Sequence, residues 1–398
     1  MKFYFIICFL VFASCSGIRQ NKIDTDEIQR LPVVKIEPPR GNRLKSLLLS
    51  EIADSIHYVA LETNKNCLVS PGIGFSINSG FLFLQGQLLF FSPEGKFLNP
   101  IGSIGRGPEE YLPTTGSVVD EQNGIVYVRD RGRPNAFVQY FLDGKYKGVV
   151  KNDFVSDGAR AVSIDSAIIM VYPVMDNRYK EVPDIVVYNP IIDSVTATRT
   201  IDFGIERVGY HFDFSSSICF SVHPKYAYYK SVYCDTLYMI TKNGIIPAMI
   251  LDFGKHTFSK ENIYERRGWS FTERFRNTTI PIRIRRVENS FYFHCVYRSH
   301  DDRTTSFIYV CNLDGQNGAY YQSVFINDLD DGPDYRFPEW GDITSVVIDN
   351  IDDENRFFYF PSNNMPKKMK RTDQFTDFYN KARISDNPII QVIHYKKM

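Results

Sequence analysis

Gln139-Tyr140-Phe141-Leu142-Asp143-Gly144-Lys145-Tyr146 reads as two strand ends joined at an Asp-Gly tip. Aromatic and β-branched residues suit a pleated, half-buried surface, and Asp-Gly supplies the positive φ of a tight hairpin. The same design recurs along the chain. Phe90-Phe91-Ser92-Pro93-Glu94-Gly95-Lys96-Phe97-Leu98 precedes it. Val187-Tyr188-Asn189-Pro190-Ile191-Ile192-Asp193-Ser194, Tyr238-Met239-Ile240-Thr241-Lys242-Asn243-Gly244-Ile245 and Tyr309-Val310-Cys311-Asn312-Leu313-Asp314-Gly315 follow. The tip positions 95, 144, 193, 244 and 315 are 49, 49, 51 and 71 residues apart. A further strand lies upstream of each tip, at 81–84, 124–128, 167–171, 226–230 and 291–297.

A multi-stranded unit that repeats every 50 residues or so cannot bury its apolar face alone, so neighbouring units must stack. The spacing therefore predicts an all-β fold, a six-bladed β-propeller of four-stranded antiparallel blades over residues 51–398. Its last blade combines the C-terminal strands with the early strand Ile56–Leu61, which closes the ring and removes sheet edges. The long last interval predicts a helical or loop insertion near 259–286. Seven shorter blades or a pair of sandwiches are the alternatives, and a sandwich leaves the regular tips unexplained.

Composition agrees with a folded β protein. The chain has 398 residues, 43% hydrophobic, with 25 Tyr and 31 Phe, which argues against disorder. Its 46 basic and 46 acidic residues cancel, so no basic stripe points to nucleic acid.

Residues 1–14 read as a signal peptide: Lys2 is the charged start, Phe3 to Phe12 the apolar run, and Ala13-Ser14 are small. Cys15 directly after them fits a bacterial lipobox, with Phe12 replacing the usual Leu, so Cys15 is the expected lipid attachment site. Residues 15–50, with Pro32, Pro38, Pro39 and Gly41, read as the lipidated N-terminus and a tether ending in a helical turn near 44–52. The other cysteines are Cys67, Cys219, Cys234, Cys295 and Cys311. Buried thiols are expected, with Cys219–Cys234 or Cys295–Cys311 as the bridges an oxidising compartment would allow. No spacing suits zinc.

Tyr58-Val59-Ala60-Leu61-Glu62-Thr63, Phe97-Leu98-Asn99-Pro100-Ile101-Gly102 and Gly105-Arg106-Gly107-Pro108-Glu109-Glu110-Tyr111 resemble the six-bladed β-propeller lipoproteins of Bacteroidota. Asn327-Asp328-Leu329-Asp330-Asp331-Gly332-Pro333 and Asp386-Asn387-Pro388-Ile389-Ile390 extend the likeness across most of the chain. The resemblance implies the propeller fold and an outer-membrane lipoprotein, on the periplasmic face or the cell surface. It implies no activity.

Three segments carry chemistry worth weighing. In the loop 105–111, glycines admit a ligand, Arg106 suits a carboxylate, and Glu109 and Glu110 suit hydroxyls; the alternative is a connection between blades. Asp328, Asp330, Asp331 and Asp334 form the densest carboxylate group, and calcium is the cation such oxygens would take; the alternative is a solvated turn. The run Arg266, Arg267, Arg274, Arg276, Arg283, Arg285 and Arg286, with Trp269, Phe271 and Phe275, suits an anionic or sugar-like ligand. Neighbouring Glu residues make a salt-bridged loop its alternative.

No GxSxG elbow, HExxH pair or phosphate loop is present. The reading is thus a monomeric binding or scaffolding lipoprotein for a glycan, peptide or protein partner, without a cofactor and more a binder than an enzyme. A propeller-type hydrolase, lactonase or lyase, calcium-dependent in some forms, is the alternative.

Overall fold

The computed structural model describes residues 31–39, 44–69, 74–113, 116–155, 159–172, 182–202, 218–223, 225–258, 275–301, 303–330, 332, 334, 345–348, 387 and 389–396. Three strands come first: β1 (Val33–Lys35), β2 (Lys45–Leu48) and β3 (Ala53–Ala60). Five antiparallel units then follow in chain order. They are β4–β7 (Gly74–Ile77, Gly80–Gln85, Gln87–Phe91, Phe97–Ile101), β8–β11 (Ser117–Asp120, Ile125–Arg129, Ala136–Phe141, Tyr146–Lys151) and β12–β15 (Arg160–Ile164, Ala167–Val171, Ile185–Asn189, Ser194–Arg199). The fourth and fifth are β16–β19 (Ile218–His223, Tyr226–Ser231, Thr236–Thr241, Gly244–Asp252) and β20–β23 (Thr278–Val287, Ser290–Arg298, Thr304–Asn312, Ala319–Ile326). Finally β24 (Ser345–Ile348) and β25 (Ile389–Tyr395) pair with β3 in a three-stranded sheet.

These sheets form a β-propeller. Each pair of successive sheets shares an apolar core, and the series returns to its start. Leu88, Tyr111 and Val138 lie between the first two units, Tyr127 and Tyr188 between the next, and Val187 and Tyr229 between the third and fourth. Phe293 and Leu251 join the fourth and fifth, Phe325 and Ile393 join the fifth to the closing sheet, and Ile390 and Phe91 join that sheet to the first unit. First strands of neighbouring sheets lie against one another, β8 on β12, β12 on β16, β16 on β20 and β24 on β4. They therefore surround the axis.

The expected count of six four-stranded blades is corrected: five units are four-stranded and complete. Among the described residues the closing sheet has three strands. No Gly follows Gly341, so the C-terminal segment lacks a tip glycine like Gly95, Gly144, Gly244 and Gly315, and β3 from the other end of the chain takes an edge position. There is no helical insertion among the described part of 259–286 either, because 278–286 belongs to β20.

The tether reading also changes from residue 33 onward. β1 pairs in parallel with β19, and β2 in parallel with β23. The N-terminal segment thus covers the exposed edges of the fourth and fifth units before entering the closing sheet. A short 3-10 turn, Leu49–Glu51, stands where the helical turn was expected.

The recurring tips have a packing reason. Gly95, Gly144 and Gly315 have φ of 83°, 82° and 80°. A Cβ on Gly95 would strike Ala60 of β3, one on Gly144 would strike Pro100 of β7, and one on Gly315 would strike Val34 of β1. Each tip rests on the outer strand of the preceding sheet, which leaves no room for a side chain. Gly244 differs: it has no positive φ and nothing within 4 Å.

Candidate functional site

The loop 105–111 is a built connection. Gly107 N donates to Glu110 Oε2 at 2.8 Å, and the Glu110 carboxylate occupies the space a Cβ on Gly105 or Gly107 would need. Arg133 Nη2 donates to Gly107 O and Glu110 O at 2.9 and 2.7 Å. Tyr111 is fully buried; its hydroxyl donates to Ile101 O and accepts from Leu88 N. The glycines make room for Glu110, while Arg106 and Glu109 are exposed.

The carboxylate group likewise serves the fold. Both oxygens of Asp328 accept from Ser50, through its N–H and its hydroxyl. Asp330 Oδ1 accepts from Tyr58 Oη, Asn327 Nδ2 and Gly332 N. Asp330 Oδ2 is buried without a hydrogen-bond partner. Asp331 lies outside the described residues. Gln391 Nε2 donates to Tyr58 Oη at 3.2 Å, so this cluster binds the fifth unit to both strands of the ring closure.

Neither expected disulfide forms. Cys67, Cys234, Cys295 and Cys311 are in no disulfide. In the β21–β22 register Cys295 faces Phe307 and Cys311 faces Phe291, so the two thiols never oppose each other. Burial pushes the Cys311 thiol up to about 12, which removes its thiolate at neutral pH.

The arginine run gives a different result. Arg266, Arg267, Trp269 and Arg274 lie outside the described residues, as do Cys15 and the leader. Arg283, Arg285 and Arg286 do not form a loop. They lie on β20, the first strand of the fifth unit and one of those around the axis. Alternation along a strand sends Arg283 and Arg285 to one face and Arg286 to the other.

Arg286 is satisfied by its surroundings. Its N–H donates to Ser221 Oγ, its Nε to Glu288 O and its Nη1 to Tyr228 Oη. Its guanidinium carbon sits 5.2 Å from the Tyr226 ring centre, and Tyr226 stacks on His223 at 4.3 Å. Burial, then Arg286, Lys225 and Arg285, hold the His223 imidazole below its usual value. Cationic charge therefore dominates this end of the inner strands.

On the opposite face Arg283 Nη1 donates to His294 Nδ1 at 3.0 Å. That leaves the proton on Nε2, which donates to Ser306 Oγ at 2.7 Å. Arg285 is 8% exposed. Its guanidinium carbon lies 4.2 Å from the Tyr395 ring centre. Two of its nitrogens, Nε and Nη1, are buried with no hydrogen-bond partner. Ionised donors left unpaired in a buried site are costly. An anion at this point would satisfy them, and the half-buried Tyr395 ring lies beside them.

Comparison with known proteins follows the fold closely. The family model described as Domain of unknown function (DUF4934) matches residues 31–394. A solved exported protein of Bacteroides fragilis is 14% identical, with a TM-score of 0.60, and the match covers 92% of this chain and 100% of that one. That likeness concerns the fold alone. AztD of Citrobacter koseri (14% identity, 69% and 81% covered) and streptogramin B lyase (8%, 67% and 87%) both give a TM-score of 0.35, too low to carry an argument. No curated protein matches the chain.

Proposed function

We propose that this chain, which belongs to the DUF4934 family, is an exported propeller that binds an acidic glycan at its inner strands. The observation that carries this reading is Arg285: nine-tenths buried, stacked on Tyr395, and with two guanidinium nitrogens unpaired. A guanidinium recognises a carboxylate or sulfate, and an aromatic ring beside it suits a sugar face. Arg283 on the same face and Arg286 on the other add positive potential, which raises the local concentration of anions.

In this reading the chain is a monomer held at the outer membrane by a lipid on Cys15, after removal of residues 1–14. The exported relative from Bacteroides fragilis supports the location. Among the described residues no helix is long and apolar enough to cross a membrane. Catalysis as a hydrolase, lactonase or lyase, with or without calcium, is the competing reading, and no arrangement of the described residues favours it.

Binding of the full chain to an immobilised panel of uronic-acid, sialylated, sulfated and neutral glycans tests the proposal. Retention on acidic members, weakened by salt, is the expected result. Equal retention on neutral members, or turnover of any member, would remove it.

A further inference from the structure

His57 and His394 stand on the two strands that come from opposite ends of the chain. β3 and β25 pair antiparallel, with His57 opposite Val392 and His394 opposite Ser55. The two histidines are therefore diagonal neighbours on one face. His57 Nδ1 lies 2.7 Å from His394 Nε2. The ring centroids are 4.8 Å apart, with 22° between the planes. Such a short N···N contact at that centroid distance means that the rings meet edge to edge, each nitrogen lone pair aimed at the other ring. One proton bridges the gap.

His394 is exposed and His57 half-buried, so solvent reaches the bridge. A neutral imidazole is the commonest metal ligand among side chains. Zinc–nitrogen bonds of about 2.0–2.1 Å set two cis ligands roughly 2.9–3.3 Å apart, which needs a slight opening of the observed contact and a turn of both rings by roughly 35–45°, so that their lone pairs converge on the ion. No third protein ligand stands with them among the described residues, which leaves the other coordination positions to water. Nitrogen ligands favour late first-row divalent ions over calcium or magnesium.

We propose that His57 and His394 form a surface site for a divalent transition-metal ion, which replaces the shared proton and clips the N-terminal strand to the C-terminal one. Because the ligands come from residues more than three hundred positions apart, the unfolded chain does not present the pair. Binding to the folded state alone raises stability by linkage. The site is independent of Arg285, so it stands or falls apart from glycan binding.

The test uses the full chain purified without a histidine tag, titrated with Ni2+, Zn2+ or Cu2+ at pH 7.5. The expected result is a metal-dependent rise in Tm of roughly 2 °C or more, lost in His57→Gln and in His394→Gln and reversed by EDTA. In parallel, the Cu2+ EPR spectrum should show hyperfine splitting from two imidazole nitrogens, and from one in either variant. No shift in the wild-type chain, or a shift that survives both substitutions, would overturn the site. A two-nitrogen spectrum in either variant would do the same.

Discussion

The guanidinium carbon of Arg285, on the inner strand of the fifth unit, lies 4.2 Å from the centre of the Tyr395 ring on the closing sheet. The pair spans the boundary between two sheets. The ring supplies about 0.5–2 kcal/mol of cation–π attraction, yet it gives the N–H groups no acceptor. Two buried donors without acceptors cost the fold stability.

Replacing Arg285 with Met tests that statement. Met fills a similar volume and has no unpaired donors, so Arg285→Met should raise stability by about 1 kcal/mol. Urea denaturation measures it. Arg286→Met should lower stability instead, because it deprives the Tyr228 hydroxyl of its donor. A loss in Arg285→Met as large as in Arg286→Met would assign Arg285 to the fold.

Tip glycines should divide by what surrounds them. Gly144→Ala forces φ 82° on an L residue and a collision with Pro100, which should cost about 1–3 kcal/mol. Gly244→Ala meets nothing within 4 Å and no positive φ, so its effect should stay within about 0.5 kcal/mol or be slightly stabilising. Thermal midpoints of the two variants separate the cases.

Ring closure depends on buried polar partners. Tyr58 Oη donates to Asp330 Oδ1 at 3.1 Å and accepts from Gln391. Tyr58→Phe takes this acceptor from Gln391 Nε2 and one donor from Asp330 Oδ1, which keeps Asn327 and Gly332, and should cost about 1–2 kcal/mol. Arg106→Ala on the exposed loop should change neither stability nor glycan binding.

Acid should loosen the closure. Burial, then the neighbouring His394, hold the His57 imidazole below the ordinary histidine value of 6.5. A lowered histidine value means that the unfolded chain takes up its proton first as pH falls. The stability His57 contributes is therefore complete above 6.5 and is lost progressively below it, until the folded form is protonated too. Urea midpoints between pH 8 and 5 should fall, and His57→Gln should flatten that slope. A slope unchanged by the substitution would locate the acid sensitivity elsewhere.

Strand content, hairpin tips and the pairing of both chain ends were legible because each leaves a local mark: alternating apolar residues, a glycine at positive φ, a period. The docking of 33–48 on two sheet edges was not, because three- and four-residue strands among prolines carry no periodicity. The glycines at 105 and 107 allowed both a ligand loop and a connection between blades, since sequence cannot show that Glu110 folds back over them. The described part of the arginine run lies on a strand, not in the expected loop. Three arginines in the last stretch of a supposed loop, at 283, 285 and 286, are spaced for the two faces of a strand, and that alternation was the available signal. His57 and His394, far apart in sequence, left no signal at all.

Isothermal titration of trigalacturonate into wild-type, Arg285→Met and Arg286→Met chains tests the central claim most directly. The account predicts measurable binding to wild type, none to Arg285→Met despite its higher stability, and only weakened binding to Arg286→Met. Undiminished affinity in Arg285→Met would contradict it, and so would wild-type binding of neutral galactotriose as tight as that of the acid.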